Sequence, residues 1–85
     1  SEPGADAVRT VDVVVLVKPQ FEAGRGEVGK GGIVRDPAVR VRALGAVKEC
    51  AAAAGYGVVG DTVSPLPGAG GNVEFLLYLQ WTKGL

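Results

Sequence analysis

Two segments of the chain are almost continuously apolar and are therefore predicted to be buried strands. They are residues 11–17, VDVVVLV, and residues 73–81, VEFLLYLQW. Continuous apolar residues, rather than alternating ones, indicate that both faces of a strand are covered, which is typical of a parallel sheet between helices. A third strand is predicted at residues 56–63, although Gly57 and Gly60 weaken its pattern.

Residues 36–54 are predicted to form the helix of this small domain. Asp36 can cap the free N–H groups, Pro37 suits the first helical position, and Gly55 is typical of a helix end. Small and apolar residues recur at helical spacing and predict a face that packs on the sheet, with Cys50 as a packing residue. This stripe consists of Val39, Ala43, Ala46, Val47, Cys50 and Ala54.

The predicted order of strand, helix, strand, strand is incomplete as a fold. Residues 1–10 are interpreted as a loop or as the end of an upstream element. One helix cannot cover both faces of two buried strands, so we expect either that an N-terminal half of the domain is missing or that a partner covers the sheet.

The composition limits the chemistry available to the chain. It has 85 residues, nine basic and nine acidic, with one cysteine and no histidine. Histidine metal sites and Ser/His/Asp or Cys/His catalysis within the chain are therefore excluded, and no metal site is predicted. A lone cysteine, the lack of a signal-peptide pattern and the lack of an apolar run near the ~18 residues of a membrane span predict a cytoplasmic protein with no membrane partner.

The glycine-rich segment of residues 18–35 has three interpretations. The sequence GRGEVGKG nearly matches a phosphate-binding P-loop, but glycine replaces the hydroxyl residue and the helix begins too late. A flexible glycine loop is the simplest alternative. The third is a mobile basic loop over RNA, because Arg25, Lys30 and Arg35 are spaced five residues apart and accessible cations suffice for phosphate contact.

Lys18 and Glu74 form a second candidate site. Lys18 follows the first strand, and Glu74 is the charged residue of the third. If the third strand lies antiparallel beside the first, its start falls next to the end of the first, and the two side chains come close. A structural ion pair, an exposed glutamate and a catalytic pair are all compatible with this spacing.

Phe21 and Asn72 are further candidates for substrate contact. Phe21 lies in the glycine-rich segment, where its ring could stack on a base or pack under the loop. Asn72 ends the Pro/Gly-rich loop of residues 64–72, where a structural turn is the simplest role.

Three motifs, in this order and spacing, resemble one family. VVVLVKPQFEAGR, VGKGGIVRDP and SPLPGAGGNVEFLLYL resemble the C-terminal part of the TlyA (hemolysin A-like) ribosomal RNA methyltransferases, which belong to the FtsJ-like group that methylates ribose 2′-hydroxyls. The resemblance covers about residues 11–79. The chain departs from the family at Arg35, where histidine is common, and in the Gly-Ala-Gly-Gly stretch before Asn72.

The resemblance implies an α/β fold: the C-terminal portion of a Rossmann-like methyltransferase fold, with the last strand antiparallel and inserted between its neighbours. Residues 1–85 are then a partial domain, whose S-adenosylmethionine-binding half and S4-like RNA-binding domain lie upstream. Of the family's Lys-Asp-Lys-Glu catalytic set, the second Lys carries over to Lys18 and the Glu to Glu74. No cofactor-binding residue is assigned within the chain.

The implied activity is methyl transfer from S-adenosylmethionine to ribosomal RNA, with the RNA or a ribosomal subunit as the partner. Lys18 is expected to orient the hydroxyl or accept its proton, and Glu74 to hold the Lys18 ammonium. The 85 residues alone are expected to be inactive. The alternative is a small non-catalytic module that binds RNA or protein through the basic loop. No basic amphipathic helix or apolar span supports the membrane damage that the name hemolysin suggests.

Overall fold

A three-stranded sheet carries one long helix on one of its faces. The computed structural model describes the backbone of residues 8–84 and the side chains of residues 9–82. In chain order the elements are β1 (Val8–Val17), α1 (Pro19–Glu22), α2 (Pro37–Ala53), β2 (Gly57–Val63), a 3₁₀ turn (Ala69–Gly71) and β3 (Phe75–Gly84).

The strand order is β1-β3-β2, and β3 pairs antiparallel with both neighbours. The α/β class and the inserted antiparallel last strand are therefore confirmed. The expectation of parallel pairing, drawn from the apolar runs, is wrong for the part of the sheet that the structure describes. β1 and β2 run in the same direction, but β3 separates them, so each ladder there is antiparallel.

The core lies between the sheet and α2. Val17, Leu77 and Leu79 are buried in one cluster with Leu44 of α2, and Val13 and Val15 pack against this cluster. The alternate side chains of β1 point to the opposite face, where Val14 is 65% exposed and Leu16 is 46% exposed. Within residues 8–84 the first strand is therefore covered on one face rather than on both.

The ends of α2 follow the predicted capping chemistry. Asp36 accepts a hydrogen bond from the Ala38 N–H at 2.9 Å, which satisfies one of the free donors of the first turn. Gly55 has a φ of +97°, and the Tyr56 N–H donates to the Ala51 carbonyl at 3.0 Å. This pattern is a Schellman motif, in which glycine adopts the left-handed conformation without steric cost. The predicted helix is confirmed to within one residue at its end.

The predicted apolar stripe of α2 is buried only in its first half. Val39 and Ala43 are buried together with Leu44, whereas Cys50 is exposed, so its assignment as a core packing residue is wrong. The second half of α2 lies beside an apolar groove of about 410 Å³, which Cys50 lines together with Val13 and other side chains, while Val47 and Ala51 pack against the core cluster.

The strand boundaries differ from those predicted by the apolar runs. β1 begins at Val8 instead of residue 11, and β3 runs from Phe75 to Gly84 instead of over residues 73–81. Backbone pairing joins residues 8–10 to residues 82–84, and such pairing does not require apolar side chains. The interpretation of residues 1–7 as a loop lies outside the described residues. Within the described part of the chain, no helix is long and apolar enough to span a membrane.

A polar cluster lies on the open face of the sheet. The Tyr78 hydroxyl donates to Oδ1 of Asp12 at 2.6 Å, and Gln80 Nε2 donates to the same oxygen at 3.0 Å. The bond from Tyr78, followed by that from Gln80, lowers the pKa of the Asp12 carboxyl. The same bond to Asp12 raises the pKa of the Tyr78 phenol, because the phenol proton is held by a carboxylate.

We expect Asp12→Asn to lower the pKa of Tyr78 toward its ordinary value of 10.0. The folded-state pKa of Tyr78 is raised, so the stability from its bond is fully present below pH 10.0 and is lost as the pH rises through the folded-state pKa. The folded-state pKa of Asp12 is lowered, so its contribution is present above pH 3.8 and is lost as the pH falls through the folded-state pKa.

The measurement is a ¹³Cζ-tyrosine NMR titration of the complete protein, with Tyr78→Phe to assign the signal. Asp36→Asn, which keeps a helix-capping side chain distant from this cluster, is the matched control. An unchanged Tyr78 titration in Asp12→Asn would contradict the assignment.

Candidate functional site

Lys18 lies at the point where β1 ends and α1 begins. Val17, the last residue of β1, pairs with Phe75, the first residue of β3. The next positions outward are Lys18 and Glu74, so the ladder brings these two residues to the same end of the sheet. This adjacency is the arrangement expected for an antiparallel third strand.

The backbone around Lys18 is fixed by the short helix that follows it. Pro19 is buried at the first position of α1, and the Phe21 N–H donates to the Lys18 carbonyl at 2.9 Å. The Lys18 ammonium lies 5.4 Å from the centre of the Phe21 ring, within the range of a cation–π contact. The ring itself is 76% exposed. Packing of Phe21 under the loop, one of the two interpretations of this residue, is therefore wrong, and the ring is accessible from solvent.

Glu74 is buried, with 4% of its surface exposed. Its carboxylate accepts a hydrogen bond from Gln20 Nε2 at 2.6 Å, and Gly68 packs so closely against it that a Cβ at that position would collide with the carboxylate. Among residues 9–82 the ion pairs are Arg42–Glu27 and Lys48–Asp61. Lys18 and Glu74 thus have adjacent backbone positions but no direct salt bridge in this conformation.

Asn72 joins the loop of residues 64–72 to the glycine-rich segment of residues 18–35. Its Oδ1 accepts from the Val34 N–H at 2.9 Å, and its Nδ2 donates to the carbonyls of Gly32 and Ala69 at 2.8 and 3.1 Å. The side chain is 2% exposed, and both of its N–H groups are used. Any influence of Asn72 on substrate therefore acts through the shape of the loops, in keeping with the structural role considered for it above.

The glycine-rich segment of residues 18–35 is ordered by local contacts. α1 occupies its first part, Gly29 and Ile33 form an isolated β-bridge, and Arg40 of α2 donates to the Val34 carbonyl at 3.0 and 3.2 Å. Glu27 accepts from the Gly24 N–H at 2.8 Å and pairs with Arg42 of α2. α2 begins only at Pro37, so this loop lacks the helix N-terminus that a P-loop requires.

The three basic residues of the loop have different surroundings. Arg25 and Lys30 are exposed. Arg35 instead folds back over the loop, where its Nη2 donates to the Lys30 carbonyl at 3.2 Å and its guanidinium abuts Gly29. Arg25 and Lys30 are thus free to contact an anion, whereas Arg35 contributes to the loop structure.

Gln20 is the residue of this site that the sequence interpretation missed. It lies between Lys18 and Phe21, which were predicted to be site residues from their charge and aromatic ring. The signal that could have identified it is the buried carboxylate of Glu74, which needs a donor when lysine does not reach it. The second residue of a helix that starts at the end of β1 is well placed to supply one.

The described residues do not form a binding site for S-adenosylmethionine by themselves. Dinucleotide and related cofactors are typically held by a glycine-rich turn between a strand and a helix. The strand-to-helix junction after β1 is Val17-Lys18-Pro19 and contains no glycine.

The fold and the sequence together define the class of this protein. Its strand order with an inserted antiparallel strand is part of a methyltransferase fold, and the sequence model described as FtsJ-like methyltransferase matches residues 2–81. The chain belongs to the FtsJ-like methyltransferase family.

Similar proteins narrow the family further. Over 74 residues the chain is 53% identical to the 16S/23S rRNA (cytidine-2'-O)-methyltransferase TlyA of Mycobacterium tuberculosis. The aligned region covers 87% of this chain and 28% of that protein. It is 54% identical over 70 residues to YqxC of Bacillus subtilis, a candidate rRNA methyltransferase, covering 82% of this chain and 25% of YqxC.

A solved structure of a candidate hemolysin from Lactococcus lactis superposes with a TM-score of 0.79 at 47% identity, covering 85% of this chain and 34% of that one. The chain therefore spans about a quarter to a third of the length of these relatives.

We expect Asn72→Ala to reduce the free energy of unfolding of the complete protein by about 2–3 kcal/mol, because it leaves the buried Val34 N–H without an acceptor. Urea unfolding measures this loss. Glu49→Ala, which truncates an exposed side chain of α2, is the control and should cost about 0.5 kcal/mol or less. Equal losses in the two variants would contradict the role of Asn72 in joining the two loops.

Proposed function

We propose that this chain supplies the RNA-facing end of an S-adenosylmethionine-dependent methyltransferase that modifies ribose 2′-hydroxyls of ribosomal RNA. The observation that carries the proposal is the meeting of Lys18 and Glu74 at one end of the sheet, beside the exposed Phe21. The relative from Mycobacterium tuberculosis, by its name, acts on cytidine 2′-oxygens of rRNA, which supports the same substrate class here.

In this proposal Lys18 acts on the ribose hydroxyl and Glu74 acts on Lys18. A ribose hydroxyl is a weak nucleophile, so a nearby lysine can orient it or accept its proton. The two backbone positions are adjacent in the ladder. In this proposal the Lys18 side chain turns from the Phe21 ring toward the Glu74 carboxylate, which leaves the ring free to stack on a base.

The open face of the sheet supports the presence of a further part of the domain. Val14 and Leu16 are largely exposed, and exposed apolar faces of this kind are typically covered in a complete domain. In this proposal an upstream half of the domain covers the open face and binds the cofactor, which is the methyl donor. Residues 8–84 then form the part of the site that binds the RNA substrate.

The loop between α1 and α2 contacts the RNA backbone in this proposal. Arg25 and Lys30 are exposed on the loop that follows Lys18 and Phe21. Cations at such positions bind phosphates without reading sequence. Arg35 maintains the loop conformation from which they project.

We expect Lys18→Ala and Glu74→Ala to reduce methylation of ribosomal RNA by the complete protein by about 10²-fold or more, in line with loss of a proton-transfer or orienting group. The measurement is transfer of a radiolabelled methyl group from S-adenosylmethionine to ribosomes. Arg9→Ala, at the opposite end of β1, is the control. Full activity of both site variants would remove the catalytic assignment and favour a non-catalytic binding module.

We expect Arg25→Ala and Lys30→Ala each to weaken RNA binding and to lower the slope of log K against log salt concentration by about one unit. Each substitution removes a cation that displaces counterions from the phosphate backbone. The measurement is fluorescence anisotropy of the complete protein with an rRNA fragment at several salt concentrations. Arg9→Ala removes the same charge elsewhere and should leave the slope unchanged, so an equal effect of Arg9→Ala would argue against a defined contact.

A further inference from the structure

Gln20 connects the two residues of the proposed catalytic pair. It is the second residue of α1, and its Nε2 donates to Oε2 of Glu74 at 2.6 Å. The amide thus presents its nitrogen to Glu74 and its oxygen elsewhere.

The position of this amide is set by the same backbone that holds Lys18. α1 begins directly after Lys18, Pro19 is buried, and the Ala23 N–H donates to the Pro19 carbonyl at 2.8 Å. Lys18 and Gln20 therefore move together as parts of one rigid turn. The bond from Gln20 to Glu74 links this turn to the start of β3.

Gly68 packs against the same oxygen of the Glu74 carboxylate, Oε2, that Gln20 binds. Its backbone has a φ of −80° and a ψ of −168°, which any residue can adopt, so glycine is not required there by conformation. It is required by space, because a Cβ would collide with the carboxylate. The position of the carboxylate is thus limited by the Gly68 backbone as well as by its bond to the Gln20 amide.

The oxygen of the Gln20 amide is an unused acceptor. Oε1 of Gln20 is buried and has no hydrogen-bond partner among the described residues. A buried acceptor without a donor is unfavourable, and such groups are few in native structures, where a functional role is one of their explanations. A purely structural role would be filled equally well by a side chain that leaves no such group.

We propose that Gln20 is a positioning residue that fixes the Glu74 carboxylate where it can engage Lys18. This inference rests on the proposed function, because it gives Gln20 a role through Glu74. The buried Oε1 remains available to a donor brought by the substrate or by another part of the domain.

The test begins with Gln20→Met in the complete protein. Methionine keeps the length of the side chain and its preference for helices but cannot form the hydrogen bond. We expect kcat for rRNA methylation to fall about tenfold, as for loss of a hydrogen bond to a charged group, with KM for the RNA nearly unchanged. Glu49→Met, which introduces the same side chain at an exposed position of α2, is the control and should retain wild-type kcat. An unchanged kcat in Gln20→Met would overturn the proposal.

Gln20→Glu provides a readout that a merely structural role would not change. Two carboxyl groups at hydrogen-bond distance share one proton at low pH and repel each other once both ionise. Lys18 is the neighbouring charged residue in register, and the loop of residues 64–72 carries no acidic or basic side chain. We expect the ratio of variant to wild-type kcat to fall as the pH rises. A ratio that does not change with pH would count against the proposal.

Comparison with Glu74→Ala separates this inference from the proposed function. If Glu74→Ala retains full activity, the proposed function loses its Glu74 assignment. If Glu74→Ala is impaired but Gln20→Met is not, only the positioning role fails. In Gln20→Met/Glu74→Ala we expect no loss beyond that of Glu74→Ala, since both changes remove one interaction.

Gly68→Ala tests the position of the carboxylate without changing Gln20 or Glu74. The added Cβ collides with the carboxylate and should displace it, so we expect a lower kcat. Full activity of this variant would contradict the need for a fixed carboxylate.

Discussion

The insertion of β3 between β1 and β2 is the constraint on which the rest of this structure depends. Because β3 pairs with β1 over residues 75–84 and with β2 over residues 75–80, it fixes the register of the whole sheet. A shift of one residue would turn every side chain of a strand to the other face, moving Leu77 and Leu79 out of the core. The same register that buries these leucines brings Glu74 to the end of β1. Core packing and site geometry are therefore determined by one set of hydrogen bonds.

Burial of Glu74 is a consequence of this register, and it sets the chemistry around the site. A buried carboxylate must be hydrogen-bonded or paired. The bond from Gln20 satisfies part of this requirement while leaving the lysine at the adjacent position free to turn toward a substrate. An ion pair with Lys18 alone would restrain the lysine ammonium. Under the proposed function, the Gln20 bond keeps the carboxylate in place so that it can serve Lys18 as a counter-ion.

The sequence predicted the parts of this structure that depend on local chemistry. The caps of α2 follow from Asp36, Pro37 and Gly55, and the adjacency of Lys18 and Glu74 follows from the family resemblance together with the inserted strand. The sequence did not predict α1, the β-strand pairing of residues 8–10 or the contact from Gln20, because these depend on tertiary partners rather than on patterns of apolar residues. The exposure of Cys50 was missed for a related reason, since helical periodicity identifies a stripe but not how far the sheet extends beneath it.

The basic residues of the glycine-rich loop differ in role because their tertiary contacts differ, although their charges are the same. Arg25, Lys30 and Arg35 are equivalent as a charge pattern, but Arg35 lies beside Gly29, where a larger residue would collide with its guanidinium. The absence of a side chain at Gly29 lets Arg35 fold back and bind the Lys30 carbonyl. Asn72 and Arg40 hold the neighbouring backbone at Val34. The loop therefore presents two cations from an ordered frame. Under the proposed function, this order reduces the conformational entropy lost on contact with a phosphate backbone.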